Sequence, residues 1–181
     1  MNFKSLDIPD IVLITPKVFK DDRGFFMESF RKDLFEERCG QWLFVQDNHS
    51  ASRRGILRGL HYQHENPQGK LVRVTKGEVF DVAVDMRESS PTFGKWVGVH
   101  LSEDNKQMLW VPPGFAHGFY VTSDYAEFQY KCTNYYSPGD EYSLVWDDTD
   151  VGVKWPLIDD RVELSEKDKN GTPFKDIRKF K

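Results

Sequence analysis

The chain has 181 residues, of which 39% are hydrophobic and 30% charged, with a net charge of -4. This composition is typical of a soluble globular protein and excludes an intrinsically disordered chain. The acidic balance argues against nucleic acid as a partner, because phosphate binding requires clustered Lys and Arg, and no apolar stretch is long enough to span a membrane.

The length favours one domain over residues 1–181. Residues 1–7 hold one cation and no long apolar segment, so we expect no secretory signal and a cytoplasmic protein. Cys39 and Cys132 lie far apart and have neither a disulfide-framework nor a zinc-finger spacing. The sequence therefore predicts two free thiols.

The first predicted element is a short helix. Asp33–Glu36 resembles a capping box and Gly40 a helix stop, so about two turns are expected. Most of the remaining chain shows short runs of alternating polarity between turn residues, which predicts an all-β sandwich or barrel. The predicted strands are Lys70–Thr75, Glu78–Met86, Trp96–Leu101, Gln107–Val111, Phe119–Thr122, Glu127–Thr133 and Tyr142–Val145.

The first two predicted strands are separated by Lys76 and Gly77, a plausible tight turn, so we expect them to pair as a hairpin. In the first strand, Lys70 shares a face with two valines. In the second strand, apolar residues alternate with acidic and small ones, so that one face holds Phe80, Val82, Val84 and Met86 and the other holds Asp81, Ala83 and Asp85.

The last predicted element is a helix near the C-terminus. Ser165–Asp168 resembles a second capping box, and Gly171 would end the helix. Asp168 then lies near the first turn, where the helix dipole favours a carboxylate. Most aspartates at such positions have no role beyond capping.

Two of the five histidines have glycines close to them. His61 and His117 lie near Gly59 and Gly118, and in a strand such small neighbours allow a ligand or another backbone to approach closely. A lone strand histidine is more often structural, and the other three histidines are interpreted in that way.

The spacing of segments 55–63, 70–77 and 112–117 resembles the two motifs of the cupin superfamily, which are small jelly-roll barrels. Metal-binding cupins have a second histidine and a glutamate where this sequence has Gln63 and Lys70. An ammonium group has no lone pair and repels a divalent cation, so we expect no metal site of this kind. The interior then holds His61, Lys70 and His117.

Longer motifs occur in segments 22–28, 46–48, 58–63, 67–74, 80–85, 113–119, 130–132 and 165–168. These motifs narrow the resemblance to the dTDP-4-dehydrorhamnose 3,5-epimerase family over roughly residues 10–170. This family inverts carbons 3 and 5 of dTDP-4-dehydro-6-deoxy-D-glucose on the way to dTDP-L-rhamnose. The resemblance implies a cupin-type jelly-roll β-barrel with a few short helices, an N-terminal strand extension and a C-terminal helical tail. It also implies no cofactor and a homodimer in which N-terminal strands pair across subunits.

Inversion beside a ketone requires a base, an acid on the opposite face and a group that stabilises the enolate. The resemblance implies His61 as the base, Asp168 as its orienting partner and Tyr130 as the acid. Lys70 is our candidate for the stabiliser, aided by His117. On the residues alone, Tyr130 lies on the apolar face of an alternating strand, where a structural tyrosine would fit equally well.

A nucleotide diphosphate requires guanidinium or ammonium donors near its binding site. Three aromatic residues, Phe25, Phe26 and Tyr136, are candidates to stack on thymine. The positions that match substrate-binding residues of the family are Arg23, Glu28, Gln46, Asn48, Arg58, His117, Glu141 and Lys167.

Three alternative functions stay open at this point. A related enzyme would invert only carbon 3 or move the ketone to that carbon. A metal-dependent oxygenase is a second class, against which Gln63 and Lys70 weigh. A non-catalytic barrel that binds a nucleotide sugar is the third.

Overall fold

The computed structural model describes residues 1–181, with thirteen strands and two short helices. The helices are α1 (Lys32–Cys39) and α2 (Glu166–Lys169). The strands are β1 (Asn2–Ser5), β2 (Val12–Thr15), β3 (Val18–Asp21), β4 (Gly24–Met27), β5 (Gln46–Arg53), β6 (Leu57–Gln63), β7 (Lys70–Lys76), β8 (Glu78–Asp85), β9 (Trp96–Ser102), β10 (Met108–Val111), β11 (Phe115–Val121), β12 (Tyr125–Cys132) and β13 (Glu141–Ser143).

Eleven of the strands form two antiparallel sheets. The first has the order β1-β2-β10-β7-β12-β5, and the second has the order β13-β6-β11-β8-β9. Side chains from both sheets form one core, in which Val72 and Phe128 of the first sheet join Ala83 and Phe119 of the second. This arrangement confirms the predicted all-β jelly-roll barrel. The remaining strands, β3 and β4, form a separate hairpin.

The predicted pairing of segments 70–75 and 78–86 as a hairpin is wrong. β7 pairs with β10 and β12, whereas β8 pairs with β9 and β11 in the other sheet. Gly77, with a φ of +71°, therefore lies at a corner where the chain passes between sheets. Its amide donates to the Glu103 carboxylate over 2.8 Å. A glycine interrupts the alternation of polar and apolar residues both at a hairpin turn and at a corner between sheets. The local sequence pattern therefore does not distinguish a corner from a hairpin.

The predicted alternation along β8 is confirmed, and both of its faces are buried. Val82 and Val84 pack against the C-terminal segment, including Val151 and Ile177. Asp81 on the opposite face is fully buried between the sheets. Asp81, a polar member of this alternation, therefore faces the barrel interior rather than solvent.

Helix α1 begins before the predicted capping box. Its N-cap is Arg31, whose side chain makes no capping hydrogen bond, and Asp33 lies inside the helix and accepts a hydrogen bond from Nε of Arg31 at 2.9 Å. The predicted capping role of Asp33 is therefore wrong. Gly40, with a φ of +89°, ends the helix as predicted.

The outer face of the first sheet is partly covered by α1. Phe35 of this helix packs edge-on against Trp110 of β10, with ring centroids 5.0 Å apart. Neither helix has the length and apolar character needed to cross a bilayer. Cys39 and Cys132 are both free thiols, as predicted.

We expect Gly77→Ala to lower the free energy of unfolding by about 2 kcal/mol or more, because a positive φ strains a residue with a side chain. The added Cβ would also lie 1.9 Å from the carbonyl oxygen of Tyr125. Chemical denaturation measures the effect. Gly139→Ala is the matched control, since a Cβ there would have no atom within 4 Å. Equal unfolding midpoints for the two variants would contradict this account of the corner.

Candidate active site

A cavity of about 630 Å³ lies between the two sheets, within the size range of small-ligand sites. Ten of the twelve predicted site residues line it: Gln46, Asn48, Arg58, His61, Lys70, His117, Tyr130, Glu141, Lys167 and Asp168. Tyr136 also lines the cavity. The structure therefore brings the four predicted catalytic residues together with six of the eight predicted substrate-binding residues.

Arg23 and Glu28 do not line the cavity in this chain. Arg23 lies in the turn of the β3–β4 hairpin and pairs with Asp21, and Glu28 directly follows β4. Phe25 and Phe26, two of the candidates for thymine stacking, lie on the same hairpin and are 56% and 69% exposed. Of the three aromatic candidates, only Tyr136 borders the cavity within one chain.

The two cavity histidines lie directly opposite each other on β6 and β11. Next to them the register of these strands shifts, and a Cβ on Gly59 would lie only 2.5 Å from Cα of Gly118. The strands therefore approach more closely at this point than larger residues would allow. This confirms the close backbone approach that the glycines near His61 and His117 predicted.

His61 is held by Asp168, which lies on α2. Nε2 of the imidazole lies 2.5 Å from Oδ1 of Asp168, and the hydroxyl of Ser165 donates to Oδ2 over 2.7 Å. Burial by itself would raise the pKa of Asp168, but the hydrogen bonds from His61 and Ser165 outweigh it and hold that pKa below its usual range. An ionised Asp168 accepts a hydrogen bond from the Nε2–H of His61, which leaves Nδ1 of the imidazole able to accept a proton.

The other ring nitrogen of His61 faces Glu141. Nδ1 lies 3.9 Å from Oε1 of Glu141, whose second oxygen accepts hydrogen bonds from Lys167 at 2.8 Å and from the Tyr136 hydroxyl at 3.0 Å. Burial would raise the pKa of Glu141, but the hydrogen bond from Lys167 and the nearby positive charges lower it overall. Glu141 is thus an anion that Lys167 and Tyr136 hold beside the imidazole.

His117 also has an aspartate partner, and sequence reasoning missed it. Nε2 of His117 lies 2.9 Å from Oδ1 of Asp81 and 3.0 Å from Oδ2. Burial raises the pKa of Asp81, while His117 and Lys70 act in the opposite direction. The available signal was an acidic residue within a strand whose neighbours are mostly apolar.

Lys70 supplies a cation to the interior. Burial lowers the pKa of its ammonium group, while Cys132, Glu141 and Asp81 act to raise it. The side chain lines the cavity from β7. It therefore places a hydrogen-bond donor at the position where a metal-binding cupin has a carboxylate ligand.

Tyr130 lines the cavity from the first sheet, whereas His61 lies in the second. Burial is the main reason that the pKa of Tyr130 rises to about 12, and Cys132 and Glu141 contribute to the shift. The phenol is therefore protonated at neutral pH. A ring bound between the sheets would have His61 and Tyr130 on opposite sides.

Gln63 has a structural role at the position where metal-binding cupins have their second histidine. Its amide donates to the carbonyl oxygens of Asn66 at 2.7 Å and Tyr135 at 3.1 Å, and its oxygen accepts from the Ser137 amide at 2.8 Å. These bonds anchor the loop that carries Tyr136. No group of three or more His, Cys, Asp and Glu side chains in the chain has an arrangement that could hold a metal ion.

The chain matches the family model described as dTDP-4-dehydrorhamnose 3,5-epimerase over residues 5–176. The dTDP-4-dehydrorhamnose 3,5-epimerase of Pseudomonas aeruginosa is 58% identical over 181 residues, which are 99% of both chains. That of Shigella flexneri is 57% identical over 182 residues, again 99% of both. The dTDP-6-deoxy-D-glucose-3,5-epimerase of Legionella pneumophila, solved in complex with dTDP-4-keto-L-rhamnose, has a TM-score of 0.95 at 52% identity and covers 98% of this chain and 94% of its own.

We expect Asp168→Asn to lower the free energy of unfolding at pH 7 by on the order of 1 kcal/mol, through loss of charge-assisted hydrogen bonds. The pKa of Asp168 is lower in the folded protein than in the unfolded chain. Its stabilising contribution is therefore present above about pH 4 and is lost as the pH falls through the folded-state pKa. Urea denaturation between pH 7 and pH 3 measures the difference. Asp22→Asn, at an exposed carboxylate, is the control variant. A difference in unfolding free energy between Asp168→Asn and wild type that stays constant with pH would be inconsistent with this assignment.

Proposed function

The chain belongs to the dTDP-4-dehydrorhamnose 3,5-epimerase family, and on that premise we propose how its residues perform the reaction. The substrate is dTDP-4-dehydro-6-deoxy-D-glucose, and inversion at carbons 3 and 5 gives dTDP-4-dehydro-L-rhamnose. The observation that carries the proposal is a single cavity in which the paired His61 and Asp168 face Tyr130 on the opposite sheet, with Lys70 between the same walls.

The chemistry requires more than a base. Both carbons flank the ketone at carbon 4. The pKa of an imidazolium lies on the order of ten units below that of a ketone α-proton, so the proton transfer costs roughly 14 kcal/mol. Positioned acid and base groups supply only about 3–6 kcal/mol. The remaining reduction of the energy barrier comes mainly from positioning of the substrate and from electrostatic stabilisation of the developing oxyanion.

His61 removes the proton in this proposal. Asp168 accepts a hydrogen bond from the Nε2–H, so that Nδ1 takes the proton from carbon and the electron pair moves to the oxygen at carbon 4. The ammonium group of Lys70 stabilises the enolate oxygen. His117 aids it in the form with a hydrogen on each ring nitrogen, so that Nε2 donates to Asp81 and Nδ1 donates to the enolate oxygen. The buried cation and imidazole thus act where the charge develops.

Tyr130 returns a proton to the other face of the same carbon. The electron pair of the enolate forms the new C–H bond, the phenol becomes a phenolate and the carbonyl is restored. Delivery from the sheet opposite His61 inverts the carbon. Exchange with solvent then removes the proton from the imidazolium and restores the one on the phenolate.

The rest of the cavity binds the nucleotide in this proposal. Arg58, whose Nε donates to Ser52 at 3.0 Å, supplies a guanidinium group for the diphosphate, together with Lys167. Tyr136 stacks on thymine, while Gln46 and Asn48 supply polar contacts. Because a lipid bilayer excludes a charged nucleotide diphosphate, we place the reaction in the cytoplasm.

We further infer a homodimer that completes this site. Arg23 is 90% exposed on a hairpin with exposed phenylalanines, and β5, which lines the cavity, pairs on one side only. An unpaired edge strand binds readily to another strand, and twofold symmetry would apply the same contact to both cavities. The hairpin of one subunit would then bring Arg23 and Glu28 to the cavity of the other.

In deuterated water, we expect the enzyme to place deuterium at both carbon 3 and carbon 5 of the sugar, as followed by proton NMR. His61→Ala should slow both exchanges by at least about 10²-fold, because the base is absent. His100→Ala, at an exposed histidine on β9 that pairs with Glu78, is the matched control and should exchange normally.

Other patterns of exchange would replace this function with one of the alternatives. Exchange at carbon 3 alone would indicate a 3-epimerase. A protein that binds dTDP but exchanges neither carbon would be a non-catalytic binding barrel.

Mixing two inactive variants tests the shared site. If Arg23 serves the partner's cavity, a heterodimer of Arg23→Ala and His61→Ala has one cavity with both changes and one with neither. Subunit exchange at equal concentrations should then restore about one quarter of wild-type activity. No recovery, despite heterodimers detected by native mass spectrometry, would show that Arg23 acts within its own chain.

A further inference from the structure

A single hydroxyl group holds two parts of Asp168. Oγ of Ser165 accepts the Asp168 amide hydrogen, with N and O 3.2 Å apart, and donates its own hydrogen to Oδ2 of the same residue at 2.7 Å. The other oxygen, Oδ1, faces Nε2 of His61 at 2.5 Å. Both oxygens of this 3% exposed residue are therefore bound, and its carboxylate has one orientation.

We propose that Ser165 is a positioning residue of this active site, which fixes the carboxylate of Asp168 and through it the ring of His61. The inference rests on the proposed function of His61 as the base. Capping of α2 requires only that the hydroxyl oxygen of Ser165 accept a hydrogen bond from a backbone amide. The O–H donor has no part in capping, and it is this donor that binds Oδ2 of Asp168.

The need for such a hydroxyl follows from the short helix that carries Asp168. α2 has only four residues, and a helix of that length has little stability of its own. Without the bond to Oδ2, the carboxylate could rotate about its side-chain torsions. Asp168 would then hold Nε2 less firmly, and Nδ1 would lose its fixed direction into the cavity.

The charges around Asp168 favour a neutral donor at this position. His61 faces it from β6 and Lys167 from α2 itself, while Glu141 of β13 lies beyond the imidazole and is bound by Lys167. A cation in place of Ser165 would compete with the imidazole for the carboxylate. A hydroxyl stabilises the anion without adding a charge.

Three substitutions at Ser165 separate the hydrogen-bond acceptor function of the hydroxyl from its donor function. Ser165→Thr keeps acceptor and donor, Ser165→Asp keeps a good cap but has no donor when ionised, and Ser165→Ala loses both. We expect Ser165→Ala and Ser165→Asp to lower kcat by about tenfold to a hundredfold, with KM nearly unchanged. Ser165→Thr should retain most of kcat.

The pH profile gives a second readout. The extra carboxylate of Ser165→Asp should stabilise the imidazolium form of His61 and move the acid limb of kcat/KM to higher pH. Glu166→Gln, in the same helix and bonded only to Lys169 through its side chain, is the matched control and should leave kcat and the pH profile unchanged. Wild-type kcat and an unshifted limb in Ser165→Asp would show that the hydroxyl only caps the helix and would overturn the proposal.

A measurement without turnover separates this inference from the proposed function. Proton NMR should show the Nε2 hydrogen of His61, identified by its absence in His61→Ala, in wild type and Ser165→Thr. The signal should be lost or displaced in Ser165→Ala and Ser165→Asp, while circular dichroism shows both to be folded. An unchanged signal in those two variants would overturn the inference, whether or not the wild-type protein epimerises the sugar.

Discussion

The hydrogen bond between His61 and Asp168 is the interaction on which the site depends, because it joins residues 107 positions apart in the chain. The imidazole lies on a strand of the second sheet, and the carboxylate comes from a four-residue helix near the C-terminus. The rigid strand determines where the ring is, and the helix determines which of its nitrogens is free. The defined tautomer of the proposed base therefore requires both parts of the fold.

In the cavity, the energetic cost of burying charged groups is offset by partners of opposite charge. Two imidazoles each have an aspartate partner, and Lys70 lies among acidic groups that act against the effect of its burial. Buried charges of one sign would be costly, whereas alternating charges with hydrogen-bond partners are tolerated. The interior thus holds an ammonium group in the same cavity as two imidazoles, and Gln63 has a structural role in the adjacent loop.

We propose that a second chain completes the substrate side of the cavity. β5 lines the cavity and has a free edge, while the hairpin that carries Arg23 lies away from it with exposed aromatic side chains. The residues proposed for proton transfer come from one subunit. The proposed dimer would add contacts to the nucleotide sugar. Proton transfer would then depend on the fold of one subunit, whereas substrate binding would depend also on the assembly of two.

Local pattern in the sequence determined the all-β class, the inward face of Tyr130 and the cap at Ser165, because side-chain alternation and capping act over a few residues. The family resemblance also indicated ten residues that share one cavity. Only the tertiary structure decided that the chain crosses between sheets at Gly77, that Asp81 is the partner of His117 and that Arg23 lies outside the cavity of its own chain. Sheet pairing and the orientation of buried partners depend on contacts between distant segments, and a local pattern contains no information about which distant segment it will meet.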